Sequence, residues 1–144
     1  MLLLKADSKY ELFDGYQYSY SYIEKNLKIR NKLRKIGTRN KEAFISCITY
    51  YEIKRGLLYA KATRQLSDFD ELHKTHKVVL LDDLQIIEKA AELHADLKRK
   101  GIPIQDADVL IAATAIVKGL ILVSNDSDML RVVGVTVEDW INIE

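Results

Sequence analysis

Residues 106–128 read Asp106-Ala107-Asp108-Val109-Leu110-Ile111-Ala112-Ala113-Thr114-Ala115-Ile116-Val117-Lys118-Gly119-Leu120-Ile121-Leu122-Val123-Ser124-Asn125-Asp126-Ser127-Asp128. From Ala107 to Val117 the run is apolar on nearly every side, which suits a helix buried against a sheet. Gly119 closes it. Leu120 to Ser124 follows as a strand without alternation, as expected where both faces are covered. Asn125 to Asp128 then turn into a short helix around Met129 and Leu130. A helix, a glycine stop and a doubly covered strand, in that order, predict an open α/β sheet.

The rest of the chain extends that pattern upstream and downstream. Ile23, Leu27, Arg30, Leu33 and Ile36 follow a 3.6-residue period and predict a mostly apolar helix stripe, stopped by Gly37. Ala43 to Ile48 reads as a short buried strand. Thr49 can cap the helix that follows through Glu52, Ile53 and Leu57, because Thr49-x-x-Glu52 matches a capping box. A second helix over Thr63 to Lys74 precedes the strand Lys77 to Leu81. Asp82-Asp83 opens a long helix, Leu84 to Lys100, with a core stripe of Ile87, Ala91, His94 or Ala95, and Leu97. Gly101-Ile102-Pro103 breaks that helix. Val133 to Val137 with Trp140 predicts a last edge strand and an anchoring aromatic. The first strand starts at Leu2 or at Tyr10. The expected architecture is a three-layer α/β/α domain around a central, mostly parallel sheet.

At 144 residues the chain fits a single domain over 1–144 that buries its core without disulfides or structural zinc, with residues 1–9 as an atypical leader. Its one cysteine, Cys47, lies in the apolar run Phe44 to Ile48, which reads as a buried small hydrophobe in a reducing compartment. Twenty-two basic residues against 21 acidic ones give a net charge of +1, which removes a global electrostatic claim on nucleic acid but allows local segregation. The bases concentrate between Lys25 and Lys41 and again at Lys54, Arg55, Lys61 and Arg64, where a solvated helix face and phosphate contact are both open readings. No stretch approaches a membrane-spanning length and Met1 to Leu4 is too short for a signal peptide, so the expected location is cytoplasmic.

Acidic residues far apart in sequence stand at the edges of the expected strands or in first helical turns: Asp14, Glu52, Asp106 and Asp108, Asp126 and Asp128. Parallel neighbouring strands would gather them into one crevice, where their repulsion must be offset by a cation. Oxygen ligands of that kind suit Mg²⁺ or Mn²⁺. Asp106 is the natural N-cap of its helix, leaving Asp108 one step further in as the site residue. Asp126 follows a buried strand directly, the position where open α/β sheets bind ligands. His73, His76 and His94 are scattered and read as surface or packing residues. An acidic crevice of this kind, with no Ser-His or Cys-His pairing, points to metal-assisted hydrolysis of a phosphodiester.

Ile102 to Ala115, Gly119 to Asp128, Ile48 to Gly56 and the ending Gly134 to Trp140 resemble, in this order, the PIN-domain ribonucleases, and specifically the VapC toxins of toxin–antitoxin pairs. The resemblance runs from about Tyr10 to the C-terminus. It implies a Mg²⁺-dependent (or Mn²⁺-dependent) endoribonuclease, a dimer, an RNA substrate such as tRNA or another structured RNA cut in single-stranded regions, and a cognate antitoxin that blocks the site. It assigns Glu52, Asp108 and Asp126 to the acidic quartet, with Asp128 nearby and Ser124 and Asn125 at the family's small hydroxyl and polar positions. Asp14 is the better match for the first-strand acid and Asp7 its competitor. Here the sequence departs from the family pattern, because Leu12-Phe13-Asp14 is followed by Gly15-Tyr16 where Asp-Thr-Asn is usual. A catalytically impaired binding module of the same fold is therefore the alternative. The tyrosines at 16, 18, 20 and 22 could stack bases or pack a dimer face.

Overall fold

The computed structural model describes residues 2–5, 31 and 42–139. Asp7, Asp14, the tyrosines at 16 to 22 and Trp140 lie outside the described residues, as does the expected 23–36 helix apart from Asn31, which is helical. Among the described residues are five strands, β1 (Leu2–Lys5), β2 (Phe44–Ser46), β3 (Val78–Val79), β4 (Leu120–Val123) and β5 (Val137–Glu138). The helices described in full are α1 (Cys47–Tyr59), α2 (Thr63–Thr75), α3 (Leu84–Arg99) and α4 (Asp106–Lys118). A 3-10 helix, Ser127–Arg131, follows β4.

The sheet order is β3-β2-β1-β4-β5. β2 and β3 are parallel, as are β4 and β5, but β1 runs antiparallel to both of its neighbours. Four strands therefore share one direction and the central one opposes them, so the sheet is mostly parallel with a reversed middle. Leu2 pairs with both Ile45 and Val123, whereas Lys5 pairs with Leu120. The carboxyl ends of β2 and β4 thus flank the start of β1 on one sheet edge. The carboxyl end of β1 lies at the opposite edge, beside the start of β4.

β4 is covered on both faces, since the neighbouring residues Leu122 and Val123 are each fully buried although their side chains point opposite ways. Ile111, Ala112, Ala113 and Ala115 of α4 are buried on all sides, as the unbroken apolar run predicts. Gly119 ends the helix in a left-handed conformation (φ 63°, ψ 43°) and donates its N–H to Ala115 and Ile116 carbonyls. The stripe of α3 differs by one residue from expectation: Ile86, Ala90, Leu93 and Leu97 are buried, and Ile87 is exposed. The buried residues are spaced four, three and four apart, a regular apolar stripe that the reading from Ile87 missed by one position, and Asp83 caps the helix by accepting the Gln85 N–H (2.9 Å). α1 and α2 are joined by Tyr50, whose ring lies 5.1 Å from Phe69 and 5.4 Å from His73, and by the Lys54–Asp70 ion pair at 2.8 Å.

The last strand begins four residues later than the sequence suggests, at Val137, because Gly134 takes a positive φ of 94° and makes a turn within the expected strand. β2 is also shorter than expected, and Cys47 already belongs to α1. Cys47 is half-buried at the first position of that helix, so it is not the fully buried hydrophobe that the apolar run suggested.

Candidate active site

Each expected acid has its place set by local backbone chemistry. The start of α1 departs from the capping box: Ser46, not Thr49, is the N-cap, and its hydroxyl accepts the Ile48 N–H at 3.2 Å. Glu52 consequently sits in the second turn of α1, beyond the reach of a cap, and no acid occupies the first turn. The capping explanation for Glu52 is removed. Ser46 is the residue that sequence reasoning missed, and the signal was a small hydroxyl at the end of the expected strand.

At α4 the N-cap is Gln105, and Asp106 is the first residue of the helix instead of its cap. Asp106 is turned to solvent and approaches His94 Nδ1 at 3.6 Å. Asp108 occupies the third helical position and is half-buried. Negative charge in this first turn is stabilised by the helix dipole. Asp126 follows β4 within a tight relay: the buried Ser124 hydroxyl accepts the Asp126 N–H at 3.0 Å, and Asp126 Oδ1 accepts the Asp128 N–H at 2.9 Å. Asp126 is thereby the cap of the 3-10 helix, which uses one carboxylate oxygen of two. Asp128 is held by Arg131 at 3.2 Å. The sheet adds one acid that the sequence did not single out: Glu138 pairs with Val123 in register at the same edge, and its carbonyl accepts the Ser124 N–H. Placing the last strand at Val133 to Val137 had hidden it.

Glu52 on the helix leaving β2, Asp126 in the turn leaving β4, and Asp108 at the start of a helix packed on β1 and β4 therefore belong to elements that converge on one edge. Among the described residues, however, no three His, Cys, Asp or Glu side chains come close enough together to hold a metal ion. The donors are hard oxygens, the type that suits Mg²⁺ or Mn²⁺, and Mg²⁺ commonly takes one or two carboxylates and retains water. The residues fit such an ion in donor chemistry, as an open carboxylate set and not as a closed cage.

An α/β sheet with separate carboxylates delivered to its carboxyl edge defines a class of domain in which chemistry takes place outside the strand ends. The PIN domain profile matches residues 22–135, and the chain belongs to the PIN-domain family. It is 38% identical over 87 residues to Ribonuclease VapC1 of Methanocaldococcus jannaschii, a match that spans 60% of each protein. It is 32% identical over 109 residues to a VapC ribonuclease of Pyrococcus furiosus, covering 76% of this chain and 72% of that one. Among solved structures, DNA-bound VapBC from Salmonella typhimurium superposes with a TM-score of 0.79 at 28% identity, covering 92% of this chain and 98% of that one. VapBC2 from Rickettsia felis, at 23% identity and a TM-score of 0.79, shares the fold.

Proposed function

We propose that the chain is an endoribonuclease toxin of the VapC type that hydrolyses RNA phosphodiester bonds with a divalent cation and is restrained by an antitoxin partner. The observation that supports this most is the common edge at which β2 and β4 end, with Glu52, Asp108 and Asp126 carried to it by the elements that follow or pack there. Relatives named as VapC ribonucleases and a fold shared with VapBC complexes favour the same reading. Glu52, Asp108 and Asp126 would hold the ion, Mg²⁺ or Mn²⁺, with Asp14, beyond β1 in the chain, as a further acid of the set and Asp128 in support. When bound, that ion supplies a nucleophilic water and offsets charge on the phosphate. The protein's own contribution is placement: Ser124 fixes the turn that orients Asp126, and Arg131 fixes Asp128. A homodimer in the cytoplasm, with structured RNA such as tRNA as substrate, completes the proposal.

The test is cleavage of total RNA and a tRNA pool by antitoxin-free protein with Mn²⁺, beside Asp108→Asn and an EDTA control. Discrete products lost in both controls are expected, with Asp108→Asn still folded and melting cooperatively. Cleavage retained by that variant would take Asp108 out of the mechanism. The alternative, a binding module that has lost catalysis, is favoured by Gly15-Tyr16 after Asp14, where Asp-Thr-Asn is usual, and by the reversed β1. It predicts a folded protein that neither cleaves RNA nor gains thermal stability on adding Mn²⁺, whereas an ion at 100 times its Kd adds about 2.7 kcal/mol to a competent site.

A further inference from the structure

α1 carries a solvent-facing feature that the carboxylate chemistry does not use. Tyr51 is 59% exposed, and the Arg55 guanidinium lies over its ring, 5.1 Å from the centroid. At 100° per residue, Arg55 lies in angle between Tyr51 and Glu52, one helical turn further on. An aromatic face, a cation and a candidate active-site carboxylate thus share one patch of helix surface. We propose that Tyr51 and Arg55 form a platform that seats one base of single-stranded RNA beside Glu52, with the ring stacking on the base and the guanidinium reaching a flanking phosphate. This rests on the ribonuclease reading of the same edge.

Charge favours a polyanion over a protein partner. From Tyr50 to Arg64 the chain carries four bases, Lys54, Arg55, Lys61 and Arg64, against the single acid Glu52. Asp70 neutralises Lys54 at 2.8 Å, while Arg55, Lys61 and Arg64 form no ion pair among the described residues. Three cations without a carboxylate partner suit a phosphate backbone, and single-stranded nucleic acid is held by aromatic platforms set in basic surroundings. Leu58 and Tyr59 continue the exposed stripe, at 56% and 93% exposure, and extend the surface along which the strand would run.

The test is fluorescence anisotropy of a labelled, mixed-sequence single-stranded RNA of about 12 nucleotides, titrated in EDTA so that cleavage and metal binding play no part. Tyr51→Ala is expected to weaken binding about tenfold or more while Tyr51→Trp preserves it, since stacking needs a ring and not a hydroxyl. Arg55→Ala is expected to flatten the dependence of log K on log salt by about 0.7, the value for one lost single-strand phosphate contact. Tyr51 is exposed and alanine favours helix, so the variant keeps its fold, which melting temperature checks. Wild-type affinity in Tyr51→Ala, or no binding by the wild type, overturns the platform. So does a loss of RNA binding accompanied by a changed oligomeric state in light scattering, which would make the face a protein interface. Metal-dependent cleavage with an unaltered KM in Tyr51→Ala removes the platform alone. Ring-dependent binding without cleavage removes the nuclease reading alone.

Discussion

Ser46 connects strand to helix with one hydroxyl. It is buried and extended (φ −61°, ψ 140°), and its acceptance of the Ile48 N–H satisfies one of the donors that a helix leaves open at its start. Ser46→Ala is expected to cost about 1 kcal/mol in urea denaturation. Because Glu52 is carried by the helix that this cap begins, the same variant should also lower RNA cleavage. At α4 the contrast between two nearby aspartates is one of exposure. Asp106 faces water beside His94, and Asp108 is half-buried, so Asp106→Asn should leave cleavage near wild type where Asp108→Asn abolishes it.

The junction between α4 and β4 depends on Gly119, whose φ of 63° is costly for any residue with a Cβ. A Cβ built there meets nothing within 4 Å, so the penalty is backbone strain and not a clash. Gly119→Ala should therefore lower stability by about 1–2 kcal/mol in urea denaturation, and Gly119→Asn by less, as asparagine enters this conformation more readily. This helix and strand were legible in the sequence because an unbroken apolar run, a glycine and a second apolar run admit few alternatives. The candidate site was less so. Thr49-x-x-Glu52 matches a capping box as a pattern, yet a hydroxyl three residues earlier, at the end of β2, took the role, and only the backbone decides between them. Pairing direction was likewise beyond the sequence, since Leu2-Leu3-Leu4-Lys5 reads equally well in either orientation. Of the two starts the sequence allowed for the first strand, Leu2 is observed, and β1 ends at Lys5, ahead of both Asp7 and Asp14, which lie outside the described residues.

Across the whole molecule, pH acts through a few groups with different signs. Burial pushes the His76 imidazole below its usual 6.5, against a smaller opposing effect from a hydrogen bond with the Ala43 backbone. The unfolded chain then binds a proton that the folded one resists, so stability falls as pH drops through about 6.5. The Asp70 carboxyl is lowered by its bond to Lys54, and the Lys54 amine is raised by the same bond. That pair contributes above the ordinary Asp value of 3.8 and below the ordinary Lys value of 10.5, so it is constant across the histidine range. Melting temperature should therefore decline between about pH 7.5 and about pH 5.5, and His76→Gln should flatten part of that decline. The reversed central strand has a separate consequence, in the order of synthesis. β1 is the first of the five strands to leave the ribosome, yet its two neighbours are residues 44–46 and 120–123. Closing so long a loop costs entropy before the pairing repays it, and contacts of that span slow folding. The middle of the sheet is thus made first and set last: a chain arrested short of Leu120 offers β1 a partner on one side only, with the other edge open to association with foreign strands.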